Sequence, residues 1–224
     1  MVAISRRALV SAAASLAMAM RGDDKLLSSK SSISDFICSY APLEYRLAVA
    51  ATGKFLYRGE DAVSAPNILA PDPDLLLPGT YDDEGAIDYF QCLEKRLSTI
   101  TDARPSLGHI ATSDQSEASQ WGEAVSVWPL GDKFSYVWPE KERLFFPTES
   151  KCESGDFAIN RDLEGALELG HEVLFSSSFD KPASLPSSIS DNTISAFLAV
   201  PSTYNSIIQE LMKQNRFRDI NLRA

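Results

Sequence analysis

Histidine is nearly absent from this chain, with two copies in 224 residues, His109 and His171. A metal centre built on imidazole therefore has little to work with, and no metal is expected. Cysteine is almost as scarce. Cys38, Cys92 and Cys152 lie far apart and form no CxxC pair, which argues against a zinc site. There is no GxSxG, so a Ser-His-Asp hydrolase lacks its usual nucleophile turn. There is no GxGxxG and no phosphate-cradling loop with lysine, and strands and helices do not alternate in the βαβ manner, so Rossmann and P-loop readings fail. No run reaches membrane-spanning length, and there is no internal repeat.

What is present suits one domain of ordinary size. Hydrophobic residues make up 44% of the chain, enough to form a core and to disfavour disorder overall. The formal charge of −10 is unevenly placed. Residues 31–210 hold 12 positive and 28 negative side chains, net −16, between two basic ends. A sequence-nonspecific nucleic-acid binder needs a cationic surface, so no nucleic-acid partner is expected. The acidic body reads first as a solubility device.

Residues 1–20, MVAISRRALVSAAASLAMAM, combine Arg6 and Arg7, an uncharged small and apolar run, and Ala17-Met18-Ala19. This is the layout of a secretory signal peptide and implies a secreted protein. An amphipathic helix or an organelle transit peptide are the other readings this composition allows. With export, one disulfide and one free thiol are expected, in any of three pairings. Without it, three buried thiols are expected.

Residues 21–34 are Ser-rich and polar and read as a flexible lead-in to a single domain over 35–224. Helices are expected over 35–50 and over 82–100, the latter from Ile87, Phe90, Leu93, Leu97 and Ile100. Another is expected over 202–217, with Tyr204, Ile207, Ile208, Leu211 and Met212 on one side. Strands are expected at 54–58, 107–112, 172–176 and 195–200. The runs at 124–130, 134–138 and 143–146 read as a meander. Asp114 is a candidate N-cap for a short helix stopped by Gly122. The proline-rich 64–80 reads as an extended loop, 148–160 as a surface loop, and 161–171 as a helix or loop. The sum is an α+β domain with an antiparallel or mixed sheet.

Three pieces in order suggest a chemistry. Tyr57-Arg58-Gly59 ends a short apolar strand. His109-Ile110-Ala111-Thr112-Ser113 closes a strand in hydroxyls before a short helix. Glu172 opens an apolar run. This order resembles the mono-ADP-ribosyltransferases of the arginine–serine–glutamate group, which includes the cholera-type and pertussis-type catalytic chains. The resemblance runs from about Phe55 to Phe179. It implies a split antiparallel or mixed β core with flanking helices. It also implies a secreted toxin-like or effector-like enzyme that takes NAD as substrate and modifies a target protein, or hydrolyses NAD. By the same resemblance, Glu172 and Arg58 are the catalytic candidates. Arg58, Tyr57, Gly59, Thr112 and Ser113 are the candidates for holding NAD. The resemblance calls for no metal and leaves any carrier subunit unspecified. Ala111 stands at the family's first serine, and Gly170 stands where arginine-specific members carry a second glutamate. A catalytically inactive secreted interaction module of the same fold is the alternative these departures favour. The aromatics Trp121, Trp128, Trp138, Phe145 and Phe146 read as core.

Overall fold

In the computed structural model, residues 30–61, 63–69, 84–141, 152, 155–178 and 195–219 are described. The expected signal peptide, the run at 143–146 and most of the proline-rich segment lie outside them.

The helix expected over 35–50 is two helices. α1 (Lys30–Tyr40) begins inside the stretch read as a flexible lead-in, and α2 (Leu43–Thr52) follows. Pro42, at φ −54° and ψ 137°, separates them. Proline has no N–H for the helix ladder and pushes the preceding residue out of helical geometry. α2 stops at Gly53, whose φ of 69° is left-handed and whose N–H reaches the Val49 carbonyl. Strand β1 is Leu56–Glu60, and the proline-rich segment contributes a short β2, Asn67–Leu69. α3 (Glu84–Leu97) buries Phe90, Leu93 and Leu97 as their spacing requires, whereas Ile100 lies past its end and is exposed. Then come β3 (His109–Thr112), the single turn α4 (Gln115–Ala118), β4 (Glu123–Pro129) and β5 (Lys133–Pro139). The region read as a surface loop contains β6 (Phe157–Ile159). α5 (Leu163–Leu169), β7 (Glu172–Ser178), β8 (Phe197–Pro201) and α6 (Asn205–Lys213) complete the order, with a final 3₁₀ turn at Asn215–Arg218.

The strands form one eight-stranded sheet in the order β2-β8-β4-β1-β3-β7-β5-β6, with every pairing antiparallel. The expected meander does not form, because β4 pairs with β1 and β8 while β5 pairs with β7 and β6. The first residues joining β4 to β5 are buried and bonded to other segments. Leu130 N–H donates to the Ala196 carbonyl and Gly131 N–H to the Tyr40 carbonyl, so no hairpin closes. The sheet has a seam, where β1 meets β3 through a single residue pair, Tyr57 with Thr112. Four strands lie on each side of it.

Two apolar clusters cover the faces. The larger packs α1, α2, α5 and α6 residues against Trp128, Val173 and Phe175. The smaller packs α3 against Val137, Leu174 and Ile110. Of the three tryptophans, Trp128 and Trp138 are buried, but Trp121 is 40% exposed and is not core. Cys92 on α3 and Cys152 form the disulfide, and Cys38 is a buried free thiol.

Candidate functional site

The three motif strands are neighbours, and their registers interlock. Thr112 pairs with Tyr57 on one side and with Glu172 on the other. Tyr57, Thr112 and Glu172 therefore form one row across β1, β3 and β7, and the row crosses the seam. Antiparallel partners share a face. On β3 and β7 the preceding pair on that face, Ile110 with Leu174, is packed under α3. Thr112 and Glu172 come next beyond it, and Glu172 is half-buried.

The Thr112 side chain is buried and fully engaged. Its Oγ1 accepts the Asp114 N–H at 3.1 Å and lies 3.1 Å from Glu117 Oε2 and 3.3 Å from the Gly170 carbonyl, to either of which it can donate. Asp114 Oδ1 in turn accepts the N–H groups of Ser116 and Glu117, which makes it the N-cap of α4. In an ordinary capping box, the acid three residues past the cap bonds back to the N-cap N–H. Here the Thr112 hydroxyl stands between them, taking the N–H of Asp114 and facing the carboxylate of Glu117. Sequence reasoning found Asp114 but missed Glu117. The Asp-x-x-Glu spacing following a β-strand threonine was the signal available. The Ser113 hydroxyl donates to the Leu167 carbonyl at 2.5 Å, so it ties the end of β3 to α5.

Alternation along β1 turns Arg58 away from the Tyr57–Thr112–Glu172 row. Its Nε meets Glu60 Oε1 at 2.7 Å, and 24% of its side chain stays exposed. Arg58 is thus beside the row and not in it. Tyr57 is half-buried, and burial raises its phenol pKa. Gly59 has a structural reason to be glycine. A Cβ there would lie 2.4 Å from the Ala118 carbonyl oxygen and 2.7 Å from the Gly122 nitrogen. The close approach that glycine allows is taken by the backbone of the α4–β4 connection.

The two histidines differ from each other. His171 is buried beside Trp138, with ring centroids 5.0 Å apart. His109 is buried among Phe175 and Phe197, on the opposite face of β3 from Thr112. Its pKa is pushed well below 6.5, chiefly by burial and then by the nearby Arg58 charge, against a hydrogen bond with the Ser195 backbone. Its Nε2 has no hydrogen-bond partner among the described residues. The depressed pKa sets a direction for stability. Below 6.5 the unfolded chain takes up a proton that the folded His109 refuses, so stability is lost as the pH is lowered below that value. The urea midpoint is expected to drop on acidification below pH 6.5 and to drop less in His109→Phe. Equal slopes in the two proteins would remove His109 from the account.

Among the described residues, no group of three or more His, Cys, Asp or Glu is arranged to hold a metal ion, and no helix is long and apolar enough to cross a membrane. Comparison of the chain with protein families, with characterised proteins and with solved structures returns no match.

Proposed function

We propose that this protein is an NAD-dependent mono-ADP-ribosyltransferase, exported and toxin-like or effector-like, that moves ADP-ribose from NAD to a protein side chain or to water. The observation that carries the reading is the interlocked register of the three motif strands. Residues 55 and 60 positions apart in sequence, Tyr57, Thr112 and Glu172, meet in one row at the seam of the sheet. Motifs matched by chance have no reason to fall on adjacent strands in register.

In this reading the bond that breaks joins the nicotinamide nitrogen to the ribose C1′. Nicotinamide leaves with the electron pair, which neutralises its ring. The positive charge that develops on the ribose needs a carboxylate fixed in advance, and Glu172 supplies it while accepting a hydrogen bond from the 2′-hydroxyl. The acceptor then forms its bond to C1′ and gives up a proton to solvent. Arg58, on the other face of β1 and paired with Glu60, serves in this reading to steady the end of the first strand. Tyr57 and Thr112 line the row, and Ser113 and Gly59 hold its backbone. The Cys92–Cys152 disulfide supports an exported, oxidised setting.

The test is nicotinamide release from NAD by the purified protein, with labelling of a target-cell lysate. Glu172→Gln is expected to lower the rate about 10²- to 10³-fold, the usual effect of removing one preorganised electrostatic group. Equal background rates in both proteins would end the enzyme reading.

Two positions favour a second reading, the inactive interaction module. Ala111 is buried in the larger core, where a serine hydroxyl would meet apolar neighbours. Gly170 has φ 76°, a left-handed cap that a glutamate would occupy only under strain. A stable fold with no saturable NAD binding by calorimetry would decide for the module.

A further inference from the structure

We infer that Glu117 is a positioning residue for Glu172, acting through the Thr112 hydroxyl and the Gly170 carbonyl. What Glu172 does rests on the transferase reading, whereas the coupling rests on geometry.

A hydroxyl has one proton to give. The Thr112 hydroxyl faces two acceptors at nearly equal distance, Glu117 Oε2 at 3.1 Å and the Gly170 carbonyl at 3.3 Å. A bond to an ionised carboxylate is the stronger of the two, so the proton goes to Glu117. Gly170 is the left-handed residue that turns α5 into β7, and it lies two residues ahead of Glu172. Remove the Glu117 carboxylate and the proton transfers to the Gly170 carbonyl, pinning that turn to β3. Glu117 thereby decides whether the Thr112 proton goes to α4 or to the α5–β7 turn. Glu172 is the first residue after that turn's His171 and stands directly opposite Thr112. A shift of the turn is therefore delivered to the one carboxylate the reaction needs in a fixed place. Helix α4 keeps its cap without Glu117, because the Asp114 side chain and the two N–H groups it accepts remain.

The consequence differs from that of an ordinary helix contact. Glu117→Ala is expected to lower kcat for NAD about tenfold while leaving KM within about twofold, since misplacing a reacting group costs rate more than binding. Glu117→Gln is expected to recover most of that loss, because its side-chain carbonyl accepts the same proton. The independent readout is the set of backbone amide signals of Gly170, His171 and Glu172 in NMR spectra of the full chain. Glu117→Ala should shift them in the wild-type background and leave them unmoved in a Thr112→Val background, where no hydroxyl carries the effect. Shifts of equal size in both backgrounds, no shifts at all, or a Gln variant as impaired as Ala would each overturn the coupling. A wild-type protein that releases no nicotinamide sinks the transferase reading instead. The amide signals decide the Glu117 coupling in that case too.

Discussion

Serine at both Cys92 and Cys152 is expected to lower the unfolding free energy by about 4 kcal/mol. The cysteines are 60 residues apart, and the cross-link confines that length of chain in the unfolded state. Loop-closure entropy for a ring of this size gives the figure. The enclosed segment carries β3, α4, β4 and β5, so it includes Thr112, Ser113 and Glu117. Local contacts at the bridge reinforce the entropic effect. Arg96 on α3 donates to the Cys152 carbonyl at 2.5 Å, and its guanidinium lies 4.9 Å from the centre of the Phe157 ring. Urea denaturation of the double variant checks the magnitude. Titration of denatured wild type should find one free thiol, that of Cys38. Three free thiols, or a loss below about 1 kcal/mol, would show that the bridge does not form in the isolated protein.

How much of this could be read from the sequence depends on how local the cause is. α3 was legible because Phe90, Leu93 and Leu97 lie on one helical face, and all three are buried. The strands at β1, β3, β7 and β8 were legible as apolar runs between turn residues. Their partners were not, because pairing is decided across the whole chain. The β4 and β5 runs look like a hairpin to a local eye. Both are buried along most of their length, and each needs neighbours on two sides, which a two-strand ribbon cannot supply. The split of 35–50 was written in Pro42, but the apolar pattern on either side of it masked the signal. At the site the motifs placed Thr112 and Glu172 together, with Tyr57 and not Arg58 as the third member of the row, since a single residue's step along a strand reverses the face. Glu117 escaped notice because an acid after an N-cap reads as helix chemistry until the threonine beside it is seen in space.

Arg46→Met is expected to cost about 4 kcal/mol of stability while sparing the chemistry of the folded molecule. Arg46 has no exposed surface. Its Nε donates to the Ala41 carbonyl at 3.1 Å, Nη1 to the Phe217 carbonyl at 2.6 Å and Nη2 to the Asp219 carbonyl at 3.4 Å. Methionine fills much of the same volume and supplies no donor. A hydrogen bond from a charged donor is worth about 1.5–3 kcal/mol, and the two shorter of these three are lost outright. Lysine would restore the charge but not the fork, so Arg46→Lys should recover only part of the loss. The arginine joins α2 to the last 3₁₀ turn, whose Phe217 packs edge-on to Trp128 at 6.0 Å. Trp128 is on β4, which pairs along its length with β1, the strand of Tyr57 and Arg58. The support thus reaches the candidate site through the sheet without touching it. Denaturation midpoints and nicotinamide release measured on the same samples separate the two kinds of residue. Arg46→Met should lose stability and keep its rate per folded molecule, while Glu172→Gln should keep stability and lose its rate. An Arg46→Met protein within about 1 kcal/mol of wild type would mean that the three carbonyls find other donors, and that the C-terminal turn is not held by this side chain.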